Sequence, residues 1–303
     1  MRQIATADPA RFKPISILKP LKGTDPGLRE NLRSFFEIEY PSFELVFSIA
    51  DPADPAREII VEMQRLFPEV RSHLVVGSVE VGANPKVNNL IKSFDLAQHD
   101  WVLISDSNVR VNPDYLKRLA LQFDENVGVL TAVVRGSHAD TFGGRLEATF
   151  LNTFYARWMY LAFAFDEPIV LGKSMLLQRS VARRFGGFKT LARYLAEDYM
   201  AGEAMQKLGF RIELLDDPVS QPLSGYRFDD FWKRHVRWGR IRKSQAPILF
   251  LFEPLLTSIP SGLIGAATLA PWLDLSALGF FALHLFIWYS ADQIIERSLA
   301  GRR

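Results

Sequence analysis

Between residues 15 and 134, short apolar runs alternate with segments of helical spacing, and that alternation constrains the fold more than any other feature. Residues 15–18, 43–49, 73–76, 101–104 and 127–134 read as buried strands. Between them, Asp25-Pro26-Gly27 opens a segment in which Leu28, Leu32, Phe35 and Phe36 share one helical face. Residues 57–67 and 86–97 repeat the helical period, and Asn112-Pro113-Asp114 starts another helix with proline in its favoured first turn. Strands alternating with helices predict an α/β fold, a mostly parallel sheet covered on both faces. Such sheets bind ligands beyond the carboxyl ends of their strands, and Asp51 and Asp106 both fall at such ends.

At 303 residues the chain is long enough for one large domain with an appendage. A net charge of +2 provides no global field for nucleic acid, and the absence of cysteine excludes disulfides and thiolate metal sites. Residues 1–13 carry charges but no apolar core of a signal peptide. Residues 254–273 and 275–291 are uncharged, each close to the ~20 residues that span a bilayer. Two buried helices of a soluble core would read the same way, and Pro260 and Pro271 suit that alternative. The flanks favour a membrane hairpin. Arg234, Arg237, Arg240, Arg242 and Lys243 precede the pair, Arg297, Arg302 and Arg303 follow it, and the connector carries only Asp274, which predicts both ends on the cytoplasmic side. The aromatic stretch 144–165 fits either a core helix or a helix lying at a membrane surface.

Four blocks carry the chemistry. Asp106, followed by Ser107 and Asn108, offers hard oxygen ligands for Mg²⁺ or Mn²⁺ beside a phosphate-bearing substrate, or simply caps a turn. Asp51, in a run with Pro52, Asp54 and Pro55, forms a rigid turn or accepts a proton from a nucleobase imide. Glu197 and Asp198 begin a helix, where the dipole favours acids; two adjacent carboxylates also raise one pKa and so create a base that works near neutral pH. Arg234, Arg237 and Trp238 lie on a predicted helix from residue 229 onward, with guanidinium forks suited to phosphate and an indole plane suited to a sugar or lipid.

These blocks, taken with the run from Pro14 to Gly23, Asn84-Pro85-Lys86-Val87-Asn88-Asn89 and Leu171-Gly172-Lys173-Ser174-Met175, resemble the family 2-type nucleotide-sugar glycosyltransferases of GT-A fold. Within that clan the chain is most similar to the ceramide glucosyltransferase family, family 21, and its bacterial relatives in hopanoid biosynthesis. The resemblance covers roughly residues 14–245 and continues into the hydrophobic pair. It implies a cytoplasmic catalytic domain over 1–245 with interfacial helices, and a membrane hairpin over 246–303. The implied setting is a membrane, a bacterial inner membrane among them, with the catalytic domain facing the cytoplasm.

By that resemblance Asp198 is the catalytic base, Asp51 contacts uracil, and Asp106 holds a divalent cation, Mg²⁺ or Mn²⁺. Lys86 lies near the donor, Arg237 and Trp238 close over diphosphate and acceptor, and Glu197 and Arg234 complete that region. Asn108 stands where related families carry a second aspartate, so coordination through one carboxylate is expected. Members also commonly begin with a membrane helix that this sequence does not display. The implied reaction moves a sugar from UDP-glucose or UDP-N-acetylglucosamine, with inversion, to a hydroxyl of a membrane lipid such as ceramide or a hopanoid polyol. Two alternatives stand beside it. One is a processive polysaccharide synthase, which needs more membrane helices than this sequence offers; the other is a membrane-tethered UDP-sugar-binding module without turnover.

Overall fold

A computed structural model describes residues 8–167, 169–245 and 247–301 of the chain. The predicted arginines Arg302 and Arg303 and the residues before Asp8 lie outside the described residues. The first half follows the expected alternation: β1 (Ile15–Leu21), α1 (Leu28–Phe36), β2 (Phe43–Ile49), α2 (Ala56–Leu66), β3 (Ser72–Val76), α3 (Pro85–Leu96), β4 (Trp101–Ile104), α4 (Tyr115–Gln122) and β5 (Val127–Ser137). Then come α5 (Phe142–Thr149), a π-helical segment (Phe150–Tyr155), α6 (Ala156–Ala164), β6 (Met175–Gln178), α7 (Arg179–Arg184), α8 (Phe188–Leu191), α9 (Glu197–Lys207) and β7 (Arg211–Pro222). The chain closes with α10 (Phe228–Gln245), α11 (Pro247–Phe252), α12 (Ser258–Thr268) and α13 (Ala277–Gly301).

The strands form one seven-stranded sheet in the order β3-β2-β1-β4-β6-β5-β7. Every pairing is parallel except those of β6, which runs antiparallel to β4 and to β5. Side chains of a strand alternate between faces, and here the alternation divides the core in two. Ile15, Ile17, Leu45, Phe47, Trp101 and Leu103 enter one cluster with Leu32, Phe35, Met63 and Leu116 of α1, α2 and α4. Leu18, Val46, Val102 and Ile104 enter the other with Leu90, Phe94, Phe188 and Met205 of α3, α8 and α9.

Sequence periodicity did not announce β6 or β7. β6 has four residues. β7 is an edge strand rich in charge, with Arg211, Glu213, Asp216 and Asp217, and so lacks the apolar run that marked the others. Charge on an edge strand discourages pairing with another chain. The aromatic stretch is partly a core element. Leu151, Ala156 and Met159 are buried, whereas Leu161 and Phe165 are exposed.

The C-terminal segment departs from two equal spans. Proline has no N–H to give, and the first uncharged run breaks accordingly into a 3-10 turn at Glu253–Leu256, the eleven-residue α12 and a second 3-10 turn at Pro271–Leu273. At 1.5 Å per residue α12 is about 16 Å long, against about 30 Å for a bilayer core. Among the described residues one helix is long and apolar enough to cross a membrane, residues 277–300, with mean hydropathy 1.3. α12 and α13 do form a helical hairpin: Gly262 and Gly265 leave room for Phe280, Phe281 and His284. The boundary expected after residue 245 is not clean, because the second half of α13 returns to the sheet. Leu299 is buried with Val133, Ala156 and Met159, with Ile295 packed beside them. Asp292 pairs with Arg157 of α6, whose guanidinium also lies 4.3 Å from the Trp288 ring centroid.

Because Arg157 and Asp292 are both mostly withdrawn from water, removing one leaves the other without its counter-charge. Asp292→Ala is therefore expected to lower stability by about 3 kcal/mol and to loosen α13. Chemical denaturation and limited proteolysis in detergent measure this; an unchanged midpoint and cleavage pattern would show that the docking does not depend on the pair.

Candidate active site

The site lies where β1 and β4 end, which is where a parallel sheet opens. Asp106 stands two residues beyond β4, where three lysines surround it, two at its carboxylate and one at its backbone carbonyl. Lys86 Nζ lies 2.8 Å from Oδ1, Lys173 Nζ lies 3.5 Å from Oδ2, and Lys19 Nζ donates to the Asp106 carbonyl at 2.9 Å. Burial alone would raise the pKa of Asp106, but the charges of Lys86, Lys173 and Lys19 outweigh it and hold the carboxyl well below the usual carboxylate range.

Lys86 joins this strand end to the start of α9. The same ammonium that pairs with Asp106 lies 3.0 Å from Glu197 Oε1. Burial works to lower its pKa, yet Asp106, Glu197 and Asp198 together hold it above the ordinary lysine value. The helix that carries Lys86 is set by its own N-terminus. Asn84 is the cap of α3, accepting from Lys86 N–H at 3.0 Å and Val87 N–H at 3.3 Å, and Pro85 follows at the first helical position. The Asn84 amide donates in the other direction, to Glu197 Oε2 at 2.8 Å and to the Tyr194 carbonyl at 2.8 Å. One asparagine thus caps the lysine's helix and orients the lysine's acidic partner.

Asp198 sits one residue further into α9. Its Oδ2 accepts from Gly172 N–H at 2.8 Å and its Oδ1 from Tyr199 N–H at 2.9 Å. Burial, then the neighbouring Glu197, push its pKa up to about 6, against the opposing pull of Lys86 and the two N–H donors. A side chain at position 172 would not fit, because its Cβ would stand 2.9 Å from Lys86 Nζ and 3.2 Å from Asp198 Oδ2. Next to that glycine, Lys173 bonds Asn108 Oδ1 at 2.6 Å. Burial lowers its pKa to about 8, opposed by Asp106 and assisted by Arg234 and Lys86.

Asp106 Oδ2 and Asn108 Oδ1 therefore converge on one cationic position. Among the described residues no group of three His, Asp or Glu side chains is arranged to hold a metal ion. A hard divalent cation here would draw on one carboxylate, one amide oxygen and the oxygens of a phosphate-bearing ligand, which is the usual composition of a Mg²⁺ site. The donor set fits such an ion.

The remaining predicted residues are distributed less tightly. Asp51 is exposed at the end of β2, and its Oδ1 accepts from Ala53 N–H at 2.8 Å, as a turn cap does. Its neighbour Asp54 instead holds the Gly23 N–H with both carboxylate oxygens, at 3.0 and 2.9 Å. On α10, Arg234 pairs with the fully buried Glu147 at 3.0 Å, and His235 bonds the other oxygen of that carboxylate at 2.9 Å. The Arg234 guanidinium also lies 4.7 Å from the Trp238 ring centroid, and Trp238 packs edge-on against Tyr155. Arg237 is on the exposed side of the helix. The arginine whose charge is felt at Lys173 is Arg234.

Lys19, Glu147 and the capping role of Asn84 were not identified from sequence. Lys19 had one available sign, a lysine set between the apolar Leu18 and Pro20; the structure shows it fully buried and 3.5 Å from the Phe35 ring centroid. Glu147 stood in the aromatic stretch as one charge among several, and nothing local linked it to a helix 88 residues away.

Comparison with known proteins places these residues in context. The family model described as Glycosyl transferase family 21 matches residues 1–303. Ceramide glucosyltransferase 1 of Caenorhabditis elegans is 32% identical over 288 residues, covering 94% of this chain, and ceramide glucosyltransferase 3 of the same organism is 29% identical over 287 residues, also covering 94%. The chain spans 62% of the length of each of these two relatives. Among solved structures, the mannosyltransferase PcManGT from Pyrobaculum calidifontis, in complex with GDP-Man and Mn²⁺, superposes with a TM-score of 0.54 at 15% identity, covering 100% of this chain and 93% of that one. The shared architecture is the GT-A fold.

Asn84→Ala is expected to cost about 1–2 kcal/mol of stability, the usual value of an N-cap. It should also release Glu197 from its second partner, whereas Asn84→Asp should keep the cap but repel Glu197. A denaturation series of the three proteins checks this; equal stability of Asn84→Ala and wild type would remove the asparagine from the architecture of the site.

Proposed function

This chain belongs to glycosyl transferase family 21, and from that premise we propose that it is an inverting hexosyltransferase that moves a sugar from a UDP-sugar to a hydroxyl of a membrane lipid. The names of its relatives favour glucose as the sugar and ceramide as the acceptor over the other pairs considered above. The observation that carries the reading is the position of Lys86, whose single ammonium joins the strand-end carboxylate Asp106 to the acid pair Glu197-Asp198. A carboxylate suited to a diphosphate-bound cation and a carboxylate suited to a base are thereby held side by side.

In this reading Asp198 accepts the proton of the acceptor hydroxyl as its oxygen attacks the anomeric carbon, while the bond to the diphosphate breaks on the opposite face. Its partners fit the task. Two backbone donors fix both carboxylate oxygens, and burial keeps the pKa high enough for useful basicity at neutral pH. Lys173 and Arg234 offset the charge that gathers on the leaving diphosphate. Asp106 and Asn108 would hold a Mg²⁺ or Mn²⁺ ion, which when bound neutralises diphosphate charge as a Lewis acid. Arg234 reaches this region because Glu147 anchors it from behind, so α10 presents Trp238 and Arg234 as one unit. Asp51, at the neighbouring strand end, is the proposed uracil contact, and Arg237 is free to meet solvent-side phosphate or lipid headgroup.

Release of UDP from UDP-glucose on addition of ceramide tests the function; release no faster with the lipid than without it, and no transfer to any lipid hydroxyl, would reject it. Asp198→Asn is expected to reduce turnover by about 10²–10⁴-fold with donor binding kept within a few-fold. The base must be ionised to act, so kcat/KM should fall about tenfold per pH unit below about pH 6 and level off above it. Turnover of Asp198→Asn near the wild-type rate would assign the base elsewhere.

The cation has its own test. Chelation by EDTA should stop transfer, and added Mg²⁺ or Mn²⁺ should restore it. Asp106→Ala should weaken UDP binding as measured by calorimetry in the presence of the metal, because it removes the one carboxylate of the donor set. Full activity in excess EDTA would show that Lys86 and Lys173 suffice.

A further inference from the structure

We propose that α12 and α13 do not cross the membrane but lie along one leaflet as an in-plane platform, on the side where the catalytic domain sits. The proposal rests on the membrane-lipid acceptor inferred above and adds the geometry of attachment. It begins from how α13 divides. Its second half is committed to the domain through Trp288, Asp292, Ile295 and Leu299. Only the part from residue 277 to residue 287 projects beyond that docking, and α12 returns beside it, with Ser261 Oγ 3.2 Å and the Ser258 carbonyl 3.0 Å from His284 Nε2. The projecting hairpin is therefore about 16 Å long on each arm.

Three placements can be compared on that length. A hairpin crossing the bilayer would need about 30 Å of each arm, roughly twice what projects. A hairpin pushed endwise into one leaflet would carry its tip to the mid-plane, and the tip holds the exposed Asp274, the one charged residue between Glu253 and Asp292. A carboxylate at the bilayer centre is expensive. A hairpin lying in the plane of the interface keeps Asp274 among headgroups and still buries the apolar side chains.

The distribution of exposed apolar residues agrees with the third placement. It is not confined to the hairpin. Phe165 just past α6, Leu251 on α11, Leu263 on α12, Trp272 at the tip, and Phe286 and Ile294 on α13 are all more than half exposed. Phe286 precedes and Ile294 falls within the docked part of α13, so both parts contribute, which an inserted tip alone would not produce. None of the 18-residue window that makes α13 apolar enough to span is buried inside the protein. Apolar helical faces of this kind, exposed over several helices and bordered by basic residues, suit the headgroup boundary of a bilayer. The border is α10, which leads into α11 and exposes Lys233, Arg237, Arg240 and Lys243 along one side. That charge favours an anionic lipid surface over a second copy of the chain, which would bring the same basic stripe with it.

The chain contains no cysteine, so single reporters can be introduced without altering native thiols. Leu275→Cys beside the tip and Phe286→Cys on α13, each labelled with the fluorophore NBD in the whole 303-residue chain, are added to sealed phosphatidylcholine–phosphatidylglycerol vesicles. The Phe286 reporter should shift to the blue and be quenched more strongly by a shallow spin-labelled lipid than by a deep one. The Leu275 reporter should lose nearly all its signal to dithionite added on the protein's side. Protection of the Leu275 reporter until the vesicles are permeabilised would mean a crossing hairpin and overturn the proposal. Stronger quenching of that reporter by the deep lipid would mean endwise insertion and overturn it equally. An unchanged Phe286 signal would assign the face to another copy of the chain. Transfer to a short-chain, detergent-soluble acceptor, measured on the same proteins, keeps the two readings apart: an active enzyme with a protected tip fails only the placement, and an inactive one with the expected quenching fails only the function.

Discussion

The contact of Lys86 with Asp106 and Glu197 is the interaction on which the site depends. Three carboxylates gathered at one end of a sheet would repel one another if left alone. A single ammonium between them, itself mostly withdrawn from water, makes the gathering tolerable and fixes its spacing. The consequences divide by residue. Asp106, nearest the lysines, stays ionised at any ordinary pH, and Asp198, shielded by burial and pressed by Glu197, titrates near 6. Two acids of similar chemistry thus acquire opposite pKa shifts from position alone.

What supports Lys86 is a chain of ordinary structural devices. Asn84 caps the helix that carries it, and Pro85 opens that helix. Asn89, one turn on, reaches the Leu21 and Ser48 carbonyls at the ends of β1 and β2. The helix is therefore tied to the very strand ends that form the floor of the site. Gly172 supplies the last requirement, an absent side chain, which lets the backbone approach Asp198 and Lys86 together.

A second buried charge cluster, Glu147 with Arg234 and His235, serves a different purpose. It joins α5 to α10 and holds Arg234 where its charge reaches Lys173, while the opposite side of α10 faces outward with Arg237. The same helix continues into the exposed apolar segments, so the groups that would hold diphosphate and the groups that would touch lipid are carried on adjoining pieces of chain. In the proposed reaction, that continuity gives a physical reason for a soluble donor and a lipid acceptor to meet at one place.

The sequence by itself determined the parallel half of the sheet, because period-two and period-3.6 patterns of apolar residues are local and survive in one dimension. It also determined that Asp106 follows a strand and that Glu197 and Asp198 open a helix, since both are statements about neighbours in the chain. Only the tertiary structure decided the rest. That Lys86 bridges Asp106 and Glu197, that a lysine within β1 faces the same site, and that Glu147 orients Arg234 are contacts across 20 to 111 residues of chain, for which no local pattern exists. β6 and β7 were hidden for the same reason: one is too short to show a period, and the other is charged because it is an edge. The C-terminal runs show the limit most plainly. Composition identified them as apolar, but the first is broken by the 3-10 turns that hold Pro254 and Pro271, and packing of Asp292 and Leu299 against the domain set how much of the last helix remains free.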